Sequence, residues 1–254
     1  MGGVVLLTGG TGFLGSQVVR NIVKETDHTV VALVRARDAE EARQRLERAW
    51  SDWPEAVQAI GGRVEPLPGD LVLPGLGITG EAWTELSHRV THIVHSAAEL
   101  RFDGALDEMR RINVEGVRHL LEFARSAHEH HGLARYAHVS TAYVAGRRTG
   151  PVPEDALSAA AGFSSAYEQA KYEGERLVQA ASLSTYGSEG VGADGHGVGR
   201  PHHPGERVGE VDELVAGSLH RGGGTSLDGG ERFRGGRRDR RLGHEGPPSV
   251  PRRG

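Results

Sequence analysis

Four apolar residues that run straight into a glycine-rich turn constrain this chain more than any other stretch. Val4 to Gly15 reads VVLLTGGTGFLG, and an amphipathic segment follows at once. A buried strand that opens through a tight turn into a helix N-terminus is the geometry that receives a pyrophosphate. Gly9 allows the sharp turn. Gly12 removes a side chain where backbone must approach phosphate. Gly15 lets the helix pack on the strand. Thr11, Phe13 and Leu14 complete the candidate cradle. The spacing is G-x-x-G-x-x-G, which departs from the commoner G-x-G-x-x-G.

Hydropathy patterning beyond the turn predicts alternating strands and helices. Val4–Thr8, Thr29–Val34, 63–67, Val90–His95 and 136–140 read as strands. Phe13–Glu25, 39–50, 107–129 and 164–181 carry apolar stripes at helical spacing. Asp38 is placed to cap the second helix, which is acidic early and basic late. The stretch with Pro74, Gly75, Gly77 and Gly80 reads as loose. This alternation predicts an α/β fold, a doubly wound parallel sheet with helices on both faces.

The bulk properties exclude several function classes. A net charge of -4 argues against a generic nucleic-acid binder, and the absence of cysteine removes thiolate nucleophiles and Cys-ligated zinc. No apolar run approaches the roughly 18 residues of a membrane span, and no signal peptide is legible, so a cytoplasmic location is expected. His128, His130 and His131 read as a solvated helix end and not as metal ligands. Trp50, Trp53 and Trp83 read as packing residues.

The cofactor reading comes from strand ends. After the second strand stand Arg35 and Arg37, where NAD-preferring sites carry a carboxylate; a guanidinium suits a 2′-phosphate, so NADP(H) is expected. Asp70 and Leu71 follow the third strand, suited to the adenine edge and face. Ala97, after the fourth, is small enough for a cofactor to pass close to the sheet.

The catalytic candidates are Thr141, Tyr167, Lys171 and Asn113. Tyr167 and Lys171 are four apart on one predicted helix and share a face. An ammonium beside a phenol lowers the phenol's pKa and makes it a usable acid or base. Thr141 follows the fifth strand, at the sheet edge where ligands bind. Asn113 is expected to order a water near Lys171, or else to be an ordinary helix-surface residue.

Taken in order, TGGTGFLG, VRAR, GDL, VHSAA, NVEG, HVSTAYVAG and YEQAK resemble the extended short-chain dehydrogenase/reductases. Within them the chain is most similar to the thioester-reductase and fatty acyl-CoA reductase branch. The resemblance covers about residues 3–181 and implies a Rossmann domain. It also implies NADPH and reduction of a carbonyl, with Tyr167 as proton donor, Thr141 on the carbonyl oxygen and Lys171 on the ribose. The implied substrate is an acyl thioester on coenzyme A or a carrier, reduced to an aldehyde. A ketone or aldehyde reductase, a nucleotide-sugar epimerase or dehydratase, or a dinucleotide-binding module without catalysis are the alternatives.

The chain changes character near residue 184. Residues 187–254 hold 19 of the 38 glycines, with nothing periodic among them. Such a segment buries too little apolar area to offset its ordering entropy. The expected organisation is a Rossmann domain over 1–183 and a Gly/Arg-rich tail over 184–254, disordered or frame-shifted, where the family's substrate domain would stand.

Overall fold

The computed structural model describes residues 2–153 and 157–185. Beyond Thr185 the reading of the tail lies outside the described residues. The strands are β1 (Val4–Thr8), β2 (Thr29–Val34), β3 (Val64–Pro68), β4 (Val90–His95) and β5 (Arg135–His138). All pair in parallel, in the order β3-β2-β1-β4-β5. The chain winds outward from β1 in one direction, then returns and winds outward from β4 in the other. The switch point between β1 and β4 is where open α/β sheets leave a crevice.

Alternate side chains of the central strands feed two cores. Val5, Leu7, Val30 and Ala32 pack on one face against α1 (Phe13–Glu25) and α2 (Ala39–Ala49), through Val18, Ile22, Leu46 and Trp50. Leu6, Val31 and Ile93 face the other way. They meet α4 (Gly80–Ser87), α6 (Gly116–His131) and α7 (Ala166–Thr185), through Leu86, Leu120, Phe123 and Val178. Burial on both faces explains why β1 and β2 are continuous apolar runs without alternation.

The helix starts follow local chemistry. Asp38 caps α2 by accepting the Glu41 N–H at 2.8 Å. Two short helices escaped the sequence reading, α3 (Pro54–Gln58) and α4. Thr79 caps α4, accepting from the Ala82 N–H at 3.2 Å, but Gly80 at the first helical position masks the signal. The single helix expected over 107–129 is three pieces: α5 (Leu106–Arg110), a π turn (Arg111–Glu115) and α6. The π turn lies where α7 crosses, and a Cβ on Gly174 would sit 2.2 Å from the Asn113 carbonyl oxygen. No helix of the described residues is long and apolar enough to cross a membrane.

Candidate active site

The turn after β1 is built by its glycines. Gly9 holds φ +77, and a Cβ there would lie 2.6 Å from the Ala97 nitrogen. The turn therefore nests against the segment leaving β4, across the switch point. Gly12 donates to the Gly9 carbonyl at 2.9 Å, and a Cβ on Gly15 would reach within 2.2 Å of that same oxygen. Intrahelical bonding in α1 begins with the Ser16 N–H on the Gly12 carbonyl at 3.0 Å. The amides of Phe13, Leu14 and Gly15 thus precede the first helical bond, and no acidic residue stands in the first turn. Thr11 and Phe13 are exposed at the mouth, with Leu14 half-buried behind them. Such a cradle fits a pyrophosphate.

Two supports of this turn went unseen in the sequence. Trp50, fully buried, donates its indole N–H to the Gly10 carbonyl at 2.8 Å. It is a packing residue, as expected, and also a brace of the turn. The Thr8 hydroxyl meets His95 Nδ1 at 2.6 Å and accepts from the Ala97 N–H at 3.3 Å. Both pairings join segments distant in sequence, so no local pattern reports them.

A cleft of about 570 Å³ opens beyond the ends of β2 and β3, lined by Arg35, Arg37, Glu41, Arg45 and Asp70 among others. Arg37 is tied to Glu41 by its Nε at 2.8 Å and its N–H at 3.0 Å. These bonds hold the Glu41 carboxyl below its ordinary range. Arg45 donates to the Arg35 carbonyl. Asp70 accepts from the Val72 N–H at 3.1 Å, and Leu71 is buried beside Gly116. Three guanidiniums in one cleft, one of them neutralising its acid, fit a phosphorylated ribose better than a bare one.

The catalytic candidates converge at the same sheet edge. Thr141 opens the 3-10 turn Ala142–Ala145 after β5, its hydroxyl accepting from the Tyr143 N–H at 3.3 Å. The Thr141 side chain lies close enough to Tyr167 to pull its phenol pKa down. Tyr167 is buried in the first turn of α7. Lys171, one turn on, is buried and donates to the Val139 carbonyl at 2.7 Å. Burial lowers its pKa to about 8, against the opposing pull of Glu175.

Two expectations need correction. The Tyr167 phenol is not brought below its ordinary range. Burial raises the Tyr167 pKa, and the group that pulls it down is Thr141. One of the three ammonium protons of Lys171 goes to the Val139 carbonyl, just past β5. Asn113 is buried but does not face Lys171 through its side chain. Its amide clamps the Glu99 main chain, accepting from the Glu99 N–H at 2.9 Å and donating to the Glu99 carbonyl at 2.9 Å.

Beneath Lys171 lies a buried polar group that the sequence reading missed. Glu175 is hydrogen-bonded by the Ser140 hydroxyl and is itself pushed up by burial. His95 and His138 lie with ring centroids 5.1 Å apart, both held neutral by burial and by Lys171. The spacing of Glu175, four residues after Lys171, was the available signal.

The chain is similar to several known proteins. Residues 7–186 match the model of an NAD-binding family described as male sterility protein. The large subunit of L-2-aminoadipate reductase from Penicillium chrysogenum is 31% identical over 193 residues, covering 70% of this chain and 14% of that protein. The fatty acyl-CoA reductase wat of Drosophila melanogaster is 33% identical over 148 residues, 55% of this chain and 28% of that one. Among solved structures, the terminal R domain of the myxalamid PKS-NRPS pathway superposes with a TM-score of 0.65 at 30% identity. That alignment covers 71% of this chain and 46% of the R domain, so the chain spans under half of that domain's length.

Proposed function

The chain belongs to the male sterility protein family of NAD-binding domains, and from that premise we propose that it is an NADPH-dependent reductase of acyl thioesters. The product is an aldehyde, and the acyl group is carried on coenzyme A or on a carrier protein. The observation that carries this reading is the convergence of Thr141, Tyr167 and Lys171 on the sheet edge that also holds the glycine cradle.

The residues would divide the work as follows. The amides of Phe13, Leu14 and Gly15 hold the pyrophosphate, as a helix N-terminus does. Arg35 and Arg45 meet the 2′-phosphate, with Arg37 quenching Glu41. Asp70 and Leu71 meet the adenine, and Ala97 gives the cofactor room against the sheet. When bound, NADPH supplies the hydride. Thr141 and Tyr167 together grip the carbonyl oxygen. As negative charge develops on that oxygen, Tyr167 transfers its proton. A phenol pKa raised by burial keeps that proton in place at neutral pH. Lys171 holds the ribose hydroxyls and supplies positive charge beneath the phenol as it ionises. The hemithioacetal so formed then collapses to aldehyde and thiol.

The test is NADPH oxidation by the purified chain with octanoyl-CoA and with octanal, beside chromatographic detection of an epimerised UDP-sugar, a reaction that consumes no net NADPH. Thioester-dependent oxidation with release of free thiol is expected. Turnover of the aldehyde or the sugar nucleotide alone would move the reading to the other reductases or epimerases of this fold. Binding of NADPH without turnover of any of the three would leave a binding module.

A further inference from the structure

Among the described residues, five large apolar side chains are conspicuously exposed: Phe13, Leu73, Leu100, Phe102 and Tyr143. All five lie on segments leaving the C-terminal ends of strands, the edge where the site is built. Phe13 and Leu73 follow β1 and β3, on the cradle and cleft side. Leu100, Phe102 and Tyr143 follow β4 and β5, on the Tyr167 side. Apolar surface gathered at one functional edge has a physical cost and calls for an occupant.

The geometry on the Tyr167 side is specific. The Phe102 ring centroid is 4.9 Å from that of Tyr167 and 5.6 Å from that of Tyr143, edge-on to the latter. Phe102 thus stands between the ring of Tyr143 and that of the proton donor, Tyr167, three rings from three separate segments. The segment bearing Phe102 is anchored from below. Asn113 clamps the Glu99 main chain through two bonds. The Glu99 carboxylate accepts from the Leu100 and Arg101 N–H groups, at 3.1 and 3.3 Å. Arg101 turns its guanidinium back to Glu99 and Glu108. The charged groups of the segment therefore satisfy one another, and Leu100 and Phe102 are left facing outward, 63% and 54% exposed.

We infer that Phe102 and Tyr143 are specificity-determining residues, forming the wall on which the acyl group lies beside Tyr167 and selecting apolar chains of several carbons over short or polar ones. The inference rests on the thioester-reductase reading. It adds to that reading which side of Tyr167 the acyl group occupies and what chemistry is preferred there. A carbonyl held by Thr141 and Tyr167 has its substituent within reach of these rings. Each methylene that leaves water against such a surface favours binding by roughly fourfold. A polar acyl group gains nothing from two rings and loses its water.

Two measurements on the full chain and on Phe102→Ser and Tyr143→Ser test it. The first is kcat/KM for octanoyl-CoA relative to acetyl-CoA. The wild type is expected to prefer octanoyl-CoA by at least about tenfold, and each variant to lower that ratio by about tenfold. An unchanged ratio in both variants overturns the inference. The second is calorimetric affinity for octanoyl-CoA against coenzyme A, with NADP present. Tighter binding of the acyl form that Phe102→Ser abolishes supports the wall even if no thioester is reduced, in which case the reaction assignment alone fails. Equal affinities for the two ligands overturn the wall even if thioesters are turned over. Phe102→Leu, which keeps apolar bulk, is expected to retain most of the preference and guards against a folding defect.

Discussion

At the scale of single residues, the proposed site turns on the charges of Lys171 and Arg35. Lys171 is the sharpest case. With its pKa lowered to about 8, its ammonium is present below that pH and lost above it. Reductive kcat is therefore expected to fall as pH rises through about 8, well before an ordinary lysine would titrate. Glu175 pulls the lysine's pKa upward. Removing its charge in Glu175→Gln should move the fall to lower pH, and a pH–rate profile reads the shift. Movement to higher pH, or none, would show that Glu175 does not act on Lys171. Arg35 carries the second residue-scale prediction. Its guanidinium stands in the cleft without an ion pair among the described residues, whereas Arg37 is bound to Glu41. Arg35→Ala is expected to weaken NADPH by about tenfold and NADH far less, measured by fluorescence titration. Equal losses would remove the case for 2′-phosphate recognition.

At the scale of elements, the site is a matter of close approaches. The π turn Arg111–Glu115 and α7 come together at Gly174, where a side chain would run into the Asn113 carbonyl. Gly174→Ala is expected to cost about 1–3 kcal/mol of stability, read from chemical denaturation, and to disturb the Asn113 clamp on Glu99. The same comparison separates what a sequence can report from what it cannot. The run from β1 through the glycine turn into α1 was legible to the residue, because its apolar stretch, glycine spacing and helical stripe are all local. The Asp38 cap was legible for the same reason. That the sheet is parallel followed from the alternation of strands and helices, whereas its order, β3-β2-β1-β4-β5, depends on which strands pair. The partner of Lys171 was not legible, since it is a backbone carbonyl 32 residues away. Nor was the role of Asn113, whose partner is the main chain of a loop from another strand. The π turn was hidden because its apolar stripe continues that of the flanking helices. The burial that raises the Tyr167 pKa is likewise a property of the assembled edge, where Phe102 and Thr141 arrive from different strands.

At the scale of the whole molecule, the parallel sheet brings the ends of all five strands to one edge, and each end contributes one part of the site. Under the proposed function the β1 end would give the phosphate cradle, β2 and β3 the arginine-lined cleft, β4 the segment with Ala97 and Phe102, and β5 with α7 the Thr141, Tyr167 and Lys171 set. A winding that reverses at the β1–β4 boundary leaves a crevice for a dinucleotide between them. The reaction we propose draws on the whole edge: proton transfer from Tyr167 to an acyl carbonyl as NADPH is oxidised. The most direct measurement is therefore turnover of octanoyl-CoA by Tyr167→Phe beside its affinity for NADPH. The account predicts that the rate falls by at least about a hundredfold while the NADPH dissociation constant stays within about twofold of the wild type. A Tyr167→Phe protein that still reduces the thioester at the wild-type rate would contradict it.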